Sequence, residues 1–269
     1  MTPRDLAKIL SLPPLPEYLR QVEAELQKTV IERQEFSRPL RSAISGGKRL
    51  RPILTIASTA SAGQKIANDV IKAAAAVELL HTASLIHDDI IDGSDSRRGR
   101  ATVVRREGLG TAVLAGDFLL AKAIEQTTLI NSAAGAVMAQ AVADMCQGQA
   151  MELSPTSAEA DYMKIIHLKA GTLTGAACQL GGLFNNAKTA DTLKRYGEKF
   201  GAAFQIIDDI IDDDLPSGRQ KASALTARQL CQAAAGELEA LQPNPAVNGL
   251  AALPEYYLDW ALPGQNAIV

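Results

Sequence analysis

The chain has 269 residues, of which 47% are apolar and 21% charged, so it is long enough to bury a substantial core. Its net charge of −3, with no basic tail or stripe, gives no electrostatic reason to expect nucleic-acid binding. Aromatic residues make up only 4%, and no segment alternates with period two, which favours helices over strands. We therefore expect an all-α fold, organised as a single domain over residues 1–269.

The first predicted helix runs from Glu17 to about Ser42, because apolar residues recur there at three- and four-residue steps. A glycine-containing break at 45–47 follows, and Pro52 is well placed to begin the next helix. Residues 66–92 contain neither Gly nor Pro and predict a buried helix, followed by a loop at 92–96. Further helices are predicted at Thr111–Ile130, Ala133–Glu152, Ala158–Leu180, Ala190–Asp212 and Ala222–Leu241. The tail at 243–269 is richer in Pro, Gly and Asn and is predicted to be irregular.

Cysteine usage and the chain start bear on the compartment. Cys146, Cys178 and Cys231 are widely spaced, so neither a zinc site nor a disulfide framework is indicated, and free thiols in a reducing compartment are expected. The first residues lack a basic-then-apolar signal pattern, and by inspection no apolar run reaches the roughly 18 to 20 residues of a membrane span. We expect a cytoplasmic protein without a transmembrane segment.

The sequence Asp-Asp-Ile-Ile-Asp occurs twice, at 88–92 and at 208–212. Residues four apart on a helix share a face and lie about 6 Å apart, so Asp88 pairs with Asp92 and Asp208 with Asp212. Two such carboxylates repel unless a cation offsets the repulsion, and hard oxygen ligands with open positions favour Mg²⁺. Each cluster follows an apolar helical stretch, which predicts an acidic patch at the mouth of an apolar cavity. Solvated helix ends are the alternative, but two copies with identical spacing argue against it.

Basic and polar side chains accompany the clusters. Residues 47–52 carry three cations in a short turn, and residues 97–100 carry three arginines one loop after the first cluster. Arg offers a rigid fork and Lys a mobile charge for phosphate oxygens, although each stretch alone could be an ordinary solvated turn. His81 lies within about 20° of Asp88 on the helical wheel, which makes a substrate contact possible beside the alternative of a core histidine. Lys169 lies in an otherwise apolar helix and therefore needs a partner or a solvated face.

Taken together, these motifs resemble the trans-isoprenyl diphosphate synthases, or polyprenyl synthetases. The match follows the family's order over roughly residues 40 to 215. The residues that carry it are Gly47-Lys48, Arg51-Pro52, His81, His87 with Asp88 to Asp92, Arg97-Arg98-Gly99, Gly148-Gln149, Lys169, and Phe204-Gln205 with Asp208, Asp209 and Asp212. The resemblance implies an all-α bundle around a deep central cavity, usually a homodimer. It also implies head-to-tail (1′-4) condensation of isopentenyl diphosphate with an allylic diphosphate to give a trans-polyprenyl diphosphate.

The resemblance implies a role for each matching residue. Ligands for up to three Mg²⁺ ions would be Asp88, Asp89, Asp92, Asp208, Asp209 and Asp212. Substrate contacts would be Arg97 and Lys169 for the allylic diphosphate, Lys48, Arg51, His81 and Arg98 for isopentenyl diphosphate, and Gln149 and Gln205 in the cavity. The expected catalytic set is Asp88, Asp92, Arg97, Lys169, Gln205 and Asp208.

Two departures from the family pattern concern activity. The family usually has Thr where this chain has Ala170, and the loop after Asp212 is short and lacks the usual Gly-Lys, for which Arg219 or Lys221 could substitute. A non-catalytic or weakly active subunit of a heteromeric synthase is therefore an alternative to an active homodimer. A His-Asp phosphohydrolase or a terpene cyclase would leave other parts of the residue set unexplained.

Product length is predicted from the turn that precedes the first cluster. Bulky aromatic residues at these positions stop chain growth early in the family, whereas this chain has Ala83 and Ser84. Small side chains leave a deeper pocket, so we expect a product longer than C15.

Overall fold

The computed structural model describes residues 2–32, 34–97, 99–154, 159–212 and 220–263. Across these ranges the α-helices are α1 (Pro3–Ile9), α2 (Leu15–Ile31), α3 (Gln34–Ala43), α4 (Leu50–Ser61), α5 (Asn68–Ile91), α6 (Val103–Glu107), α7 (Leu109–Ile130), α8 (Ser132–Glu152), α9 (Glu159–Ile166), α10 (Thr172–Leu183), α11 (Ala187–Ile211), α12 (Gln220–Glu237) and α13 (Pro245–Ala261). A π-helical turn, His167–Gly171, joins α9 to α10, and a 3₁₀ turn, Leu238–Ala240, follows α12. The predicted all-α fold is confirmed.

Two of the predicted helices are divided in the structure. The helix expected from Glu17 to about Ser42 is instead α2 and α3, and the one expected at Ala158–Leu180 is α9, the π turn and α10. A small antiparallel hairpin, β1 (Ser96–Arg97) with β2 (Arg100–Ala101), begins at the last residue of the loop predicted at 92–96. Apolar periodicity continues through such interruptions, so it does not mark them.

The central helix of the bundle is α5. Among the described residues it alone is long and apolar enough to cross a membrane by length and composition, which the sequence analysis did not anticipate. However, 72% of its apolar window is buried inside the fold, against α2, α4, α7 and α10. A helix that is apolar on all sides is what a central position requires.

Close helix crossings in the core depend on small residues. Gly181 of α10 faces α4, where a Cβ added to it would lie 2.5 Å from the carbonyl oxygen of Thr55. The Thr59 hydroxyl also donates to the Gly181 carbonyl oxygen at 3.3 Å. The two backbones approach so closely that this position has no room for a side chain.

The C-terminal region is ordered by a cap that the sequence contains. The side chain of Asn244 accepts hydrogen bonds from the backbone N–H groups of Ala246 and Val247, both at 3.0 Å, and Pro245 occupies the first helical turn of α13. Asn at the cap and Pro just after it favour a helix start. The prediction of an irregular tail was therefore wrong for residues 245–261, because Asn and Pro mark an element boundary here rather than a coil.

The register of α13 against α11 is set by a proline. Pro254 lies inside α13 and has no N–H, so the carbonyl of Leu250, four residues earlier, lacks its usual helical partner. The hydroxyl of Tyr196, a fully buried residue of α11, donates to that carbonyl oxygen at 2.8 Å. This hydrogen bond between the two helices takes the place of one within α13, and it fixes the position of α13 along the axis of α11.

Candidate active site

The first aspartate cluster occupies the last turn of α5. Asp88 is half-buried and Asp92 is exposed. Burial raises the pKa of the Asp88 carboxyl; the positive charge of Lys169 opposes the rise, and the negative charge of Asp92 adds to it. The two carboxylates thus repel each other where they share a face, as their spacing predicted.

Asp89 points to another side of the helix. It is 5% exposed and accepts a hydrogen bond from Arg97 Nε at 2.7 Å, because the hairpin folds Arg97 back onto α5. On this side a cleft of about 180 Å³ is lined by Asp89, Arg97, Arg100 and Arg106 among other residues. In this conformation Asp89 holds Arg97 rather than facing the same way as Asp88. The metal role of Asp89 and the diphosphate role of Arg97 remain predictions.

Lys169 reaches the first cluster from the π-helical turn, a feature that often marks functional sites. Gly148 of α8 lies beneath it, where an added Cβ would come within 2.9 Å of Lys169 Cγ. The lysine forms an ion pair with Glu152, which also accepts a hydrogen bond from Gln149 Nε2 at 3.0 Å. The partner that Lys169 was expected to need is therefore Glu152. Sequence reasoning missed this residue, although it lies three positions after Gln149 and so on the same side of α8.

The second cluster ends α11 and is held by a residue from the C-terminal helix. Burial raises the pKa of the Asp208 carboxyl, Lys48 opposes this effect, and Asp212 adds to it. The hydroxyl of Tyr257 donates to Asp208 Oδ1 at 3.3 Å. Tyr257 was not among the predicted site residues, since its segment was expected to be irregular.

Asp209 is held by two donors. It accepts hydrogen bonds from the Tyr162 hydroxyl at 2.7 Å and from Gln205 Nε2 at 2.8 Å. Burial, together with this bond to a carboxylate, raises the pKa of Tyr162, so its hydroxyl stays a donor. Gln205, predicted to contact substrate, is one turn before Asp209 on α11 and orients that carboxylate through this hydrogen bond.

The basic turn at 47–52 divides into inward and outward residues. Arg49 adopts a left-handed backbone conformation (φ +53°), is 9% exposed and pairs with Glu78. It therefore cannot serve a diphosphate, so only two of the three cations are available. Lys48 is exposed, with Nζ 5.0 Å from the Trp260 ring centroid. Arg51 Nη1 lies 3.3 Å from His81 Nε2, which brings two of the predicted isopentenyl diphosphate contacts together.

Four side-chain interactions, together with the chain segments between their residues, link the two clusters in a closed circuit. In order it runs through Asp88, His81, Arg51, Lys48, Asp208, Asp209, Tyr162 and Lys169; the interactions are Arg51 with His81, Lys48 with Asp208, Asp209 with Tyr162, and Lys169 with Asp88. The step from Asp88 to His81 spans seven residues of α5, about 10 Å, and the step from Tyr162 to Lys169 runs from α9 into the π-helical turn. Both aspartate clusters and three of the predicted cations therefore surround one end of the bundle.

The acidic side chains suit a metal that binds together with substrate. Within the described parts of the chain, no three acidic, His or Cys groups lie close enough together to form a metal site on their own. Each cluster offers a same-face pair of carboxylates instead, and burial and repulsion raise the pKa of its more buried member. Mg²⁺ fits this donor set, because it is usually held by one or two carboxylates with water and substrate phosphates in the remaining positions.

Several predicted residues lie elsewhere or outside the described residues. Ala83 is fully buried in the core, and Ser84, half-buried one turn before Asp88, donates its hydroxyl to the carbonyl oxygen of His81 at 2.9 Å. Their role in product length remains a prediction. Arg98, the short loop at 213–219 and the side chain of Lys221 lie outside the described residues.

Comparison with known proteins identifies the family of the chain. The sequence profile of the family described as Polyprenyl synthetase matches residues 33–217. Nonaprenyl diphosphate synthase of Mycobacterium tuberculosis is 40% identical over 179 residues, covering 64% of this chain and 53% of that protein. Short chain isoprenyl diphosphate synthase of Methanocaldococcus jannaschii is 36% identical over 208 residues, covering 72% of this chain and 62% of that protein.

The fold extends the match beyond these aligned segments. The crystal structure of a decaprenyl diphosphate synthase from Rhodobacter capsulatus superposes with a TM-score of 0.82 at 25% identity, covering 96% of this chain and 99% of that one. In sequence, the chain spans 53% to 62% of the length of these two curated relatives. The match to the family profile over most of the chain shows that the protein belongs to the polyprenyl synthetase family.

Proposed function

We propose that the protein is a Mg²⁺-dependent prenyltransferase. It would condense isopentenyl diphosphate head-to-tail with an allylic diphosphate to give a trans-polyprenyl diphosphate. The observation that carries this proposal is the closed circuit at one end of the bundle, in which two same-face carboxylate pairs alternate with Lys48, Arg51 and Lys169. Family membership supports the same reaction class.

The residues divide between the two substrates. Asp88 with Asp92 and Asp208 with Asp212 would hold Mg²⁺, which supplies positive charge to the diphosphate that departs from the allylic substrate. Lys169 is held by Glu152 close enough to act on Asp88, so its ammonium is available to the same diphosphate. Lys48, Arg51 and His81 would bind the diphosphate of isopentenyl diphosphate on the other side of the circuit.

Apolar residues behind the clusters would protect the reacting carbon atoms. Ile86, Ile206 and Ile207, each at most 2% exposed, precede the two clusters on α5 and α11. An allylic cation needs such a water-poor surrounding, because water would otherwise capture it. The small side chains of Ala83 and Ser84 support a product longer than C15.

We also infer a homodimer that works in the cytoplasm. α8 exposes small side chains at alternating three- and four-residue steps: Ala136, Ala139, Ala143, Cys146 and Ala150. Neighbouring α7 exposes Leu114 and Leu129 by 58% and 81%, and these two lie within about 60° of each other on the helical wheel. A second copy of the chain would cover this apolar face. Sedimentation velocity should show a dimer for the wild-type chain and a monomer for Leu114→Asp. In the heteromeric alternative, a different subunit would cover this face in place of the second copy.

The decisive experiment is an assay of the purified chain alone. Isopentenyl diphosphate would be supplied with C10, C15 or C20 allylic diphosphates, with Mg²⁺ or with EDTA, and the products would be sized. We expect Mg²⁺-dependent products longer than C15. Asp88→Asn and Asp208→Asn should each lower kcat by roughly 100-fold or more, since each removes charge that acts on the departing group. Asp191→Asn, an exposed position on the same helix as Asp208, is the control.

Other outcomes identify the alternatives. Inactivity of the chain alone, with activity restored by a second subunit, would identify a heteromeric synthase. Diphosphate release that does not require isopentenyl diphosphate would indicate a different reaction class. Termination at C15 would contradict the inferred pocket depth.

A further inference from the structure

The C-terminal helix α13 contacts the face of α11 that carries the second aspartate cluster. Phe200, Phe204 and Asp208 are spaced four residues apart, so they form one stripe along α11. The ring of Tyr257 packs on this stripe, with centroids 4.8 Å from Phe204 and 6.3 Å from Phe200. The bond from Tyr196 to Leu250 fixes the register that brings Tyr257 to this level.

Tyr257 has little freedom to turn its hydroxyl away from Asp208. It is 3% exposed, and its ring is held by three aromatic contacts, with Phe200, Phe204 and Trp260. The hydroxyl donates to Asp208 Oδ1 at 3.3 Å, which is long for an O–H···O bond. The contact therefore contributes more to the orientation of the carboxylate than to its binding energy.

Two aromatic rings of α13 also hold Lys48. Its Nζ lies 5.7 Å from the ring centroid of Tyr257 and 5.0 Å from that of Trp260, both within the range of a cation–π interaction. Lys48 follows Gly46 and Gly47, whose φ angles are +80° and +92°, and these two residues offer no side chain that could hold the lysine. The rings of α13 supply that support.

We propose that Tyr257 and Trp260 are positioning residues that set the separation between Asp208 and the ammonium of Lys48. The inference rests on the proposed function, in which Asp208 binds Mg²⁺ and Lys48 binds isopentenyl diphosphate. Tyr257 contacts both groups, with its hydroxyl on one and its ring on the other. Of these two groups Trp260 contacts only Lys48, and it also packs on the Tyr257 ring, with centroids 5.9 Å apart. Tyr257 would therefore act on both substrates of the reaction, and Trp260 directly on isopentenyl diphosphate alone.

Kinetics separates these roles from a merely structural one. Tyr257→Phe keeps the ring and loses the hydroxyl, so the Mg²⁺ concentration for half-maximal activity should rise by about 3- to 10-fold, with less effect on the KM for isopentenyl diphosphate. Trp260→Leu should raise the KM for isopentenyl diphosphate by about 2- to 5-fold and leave the Mg²⁺ dependence unchanged. Trp260→Phe, which keeps an aromatic ring, should have a KM close to that of the wild-type protein. Tyr256→Phe, at an exposed neighbouring position, is the matched control.

A second measurement does not depend on activity. Trp260 is the only tryptophan of the chain, so its fluorescence reports directly on the neighbourhood of Lys48. Lys48→Gln should change the Trp260 emission in the absence of any substrate, and Lys65→Gln, at an exposed position outside the site, should not. Inorganic diphosphate should change the emission of the wild-type protein in a saturable manner and that of Lys48→Gln much less.

The outcomes distinguish the inference from the proposed function. An unchanged emission in Lys48→Gln would overturn the inference, because Lys48 would then not lie on Trp260. A parallel loss of kcat, Mg²⁺ response and thermal stability in both aromatic variants would also overturn it, since it would indicate only a packing role. A changed emission in a protein that catalyses no condensation would support the contact while refuting the proposed reaction.

Discussion

Replacement of Arg49 by Met should destabilise the protein because it leaves a buried carboxylate without its cation. Arg49 Nη1 lies 2.7 Å from Glu78 Oε1, and the two side chains are 9% and 7% exposed. Removal of one partner of a buried pair costs about 3–5 kcal/mol. The second partner, Glu23, is 42% exposed, so its loss adds little. We expect the free energy of unfolding to fall by about 3–5 kcal/mol in total.

The assay is thermal and urea unfolding at one fixed protein concentration, because self-association would otherwise shift the midpoint. At about 2–4 °C per kcal/mol for a chain of this size, the melting temperature should fall by roughly 6–20 °C. Arg20→Met is the control, since the Arg20 side chain is 76% exposed, and its effect should stay within about 0.5 kcal/mol.

The double variant Arg49→Met/Glu78→Leu tests the reasoning most sharply. An apolar pair of similar volume can replace a buried ion pair at little cost, so the double variant should be more stable than Arg49→Met alone. Two results would refute the argument: a cost below about 1 kcal/mol for Arg49→Met, or a double variant as unstable as the sum of the single variants.

Two further predictions concern packing and thiol chemistry. Gly181→Ala should lower the free energy of unfolding in urea by about 1–3 kcal/mol, because its Cβ would lie 2.5 Å from a backbone carbonyl oxygen of α4. Gly236→Ala is the control: a Cβ there has nothing within 4 Å and should stabilise α12 by about 0.5–1 kcal/mol. Equal effects of the two substitutions would contradict the close crossing of α4 and α10. In the monomeric Leu114→Asp variant, where no second copy would cover it, Cys146 should react with an aromatic disulfide reagent at about pH 8 without unfolding. Burial raises the pKa of Cys178 and Cys231 to about 12, so these two thiols should react only after unfolding. The unfolded chain would ionise these two thiols as the pH passes 9.0 while the folded chain keeps them protonated, so the unfolding free energy should decline above that pH, and a rise would refute the argument.

Local sequence patterns predicted most of the helices and the same-face aspartate pairs. Helical periodicity and spacing depend on backbone geometry that repeats every 3.6 residues, so Asp88 and Asp92 could be placed on one face without any tertiary information. The sequence did not predict α13, although Asn244 and Pro245 are a good helix start, because Pro, Gly and Asn are also typical of irregular segments.

Tertiary structure decided which side chains serve the site. Arg49 and Lys48 are neighbours in a basic turn, yet one is buried against Glu78 and the other lies exposed beside Asp208. The sequence cannot distinguish them, because both are long cations and only the position of α5 and α13 determines where each points.

The sequence by itself therefore determined that this is an all-α protein with two Mg²⁺-compatible aspartate pairs and a set of cations suited to diphosphates. Only the tertiary structure assigned Arg97 to Asp89, Glu152 to Lys169 and Tyr257 to Asp208. The physical reason is that spacing within one helix is fixed by local geometry. The pairing of residues on different elements depends instead on how those elements pack, which no local pattern encodes.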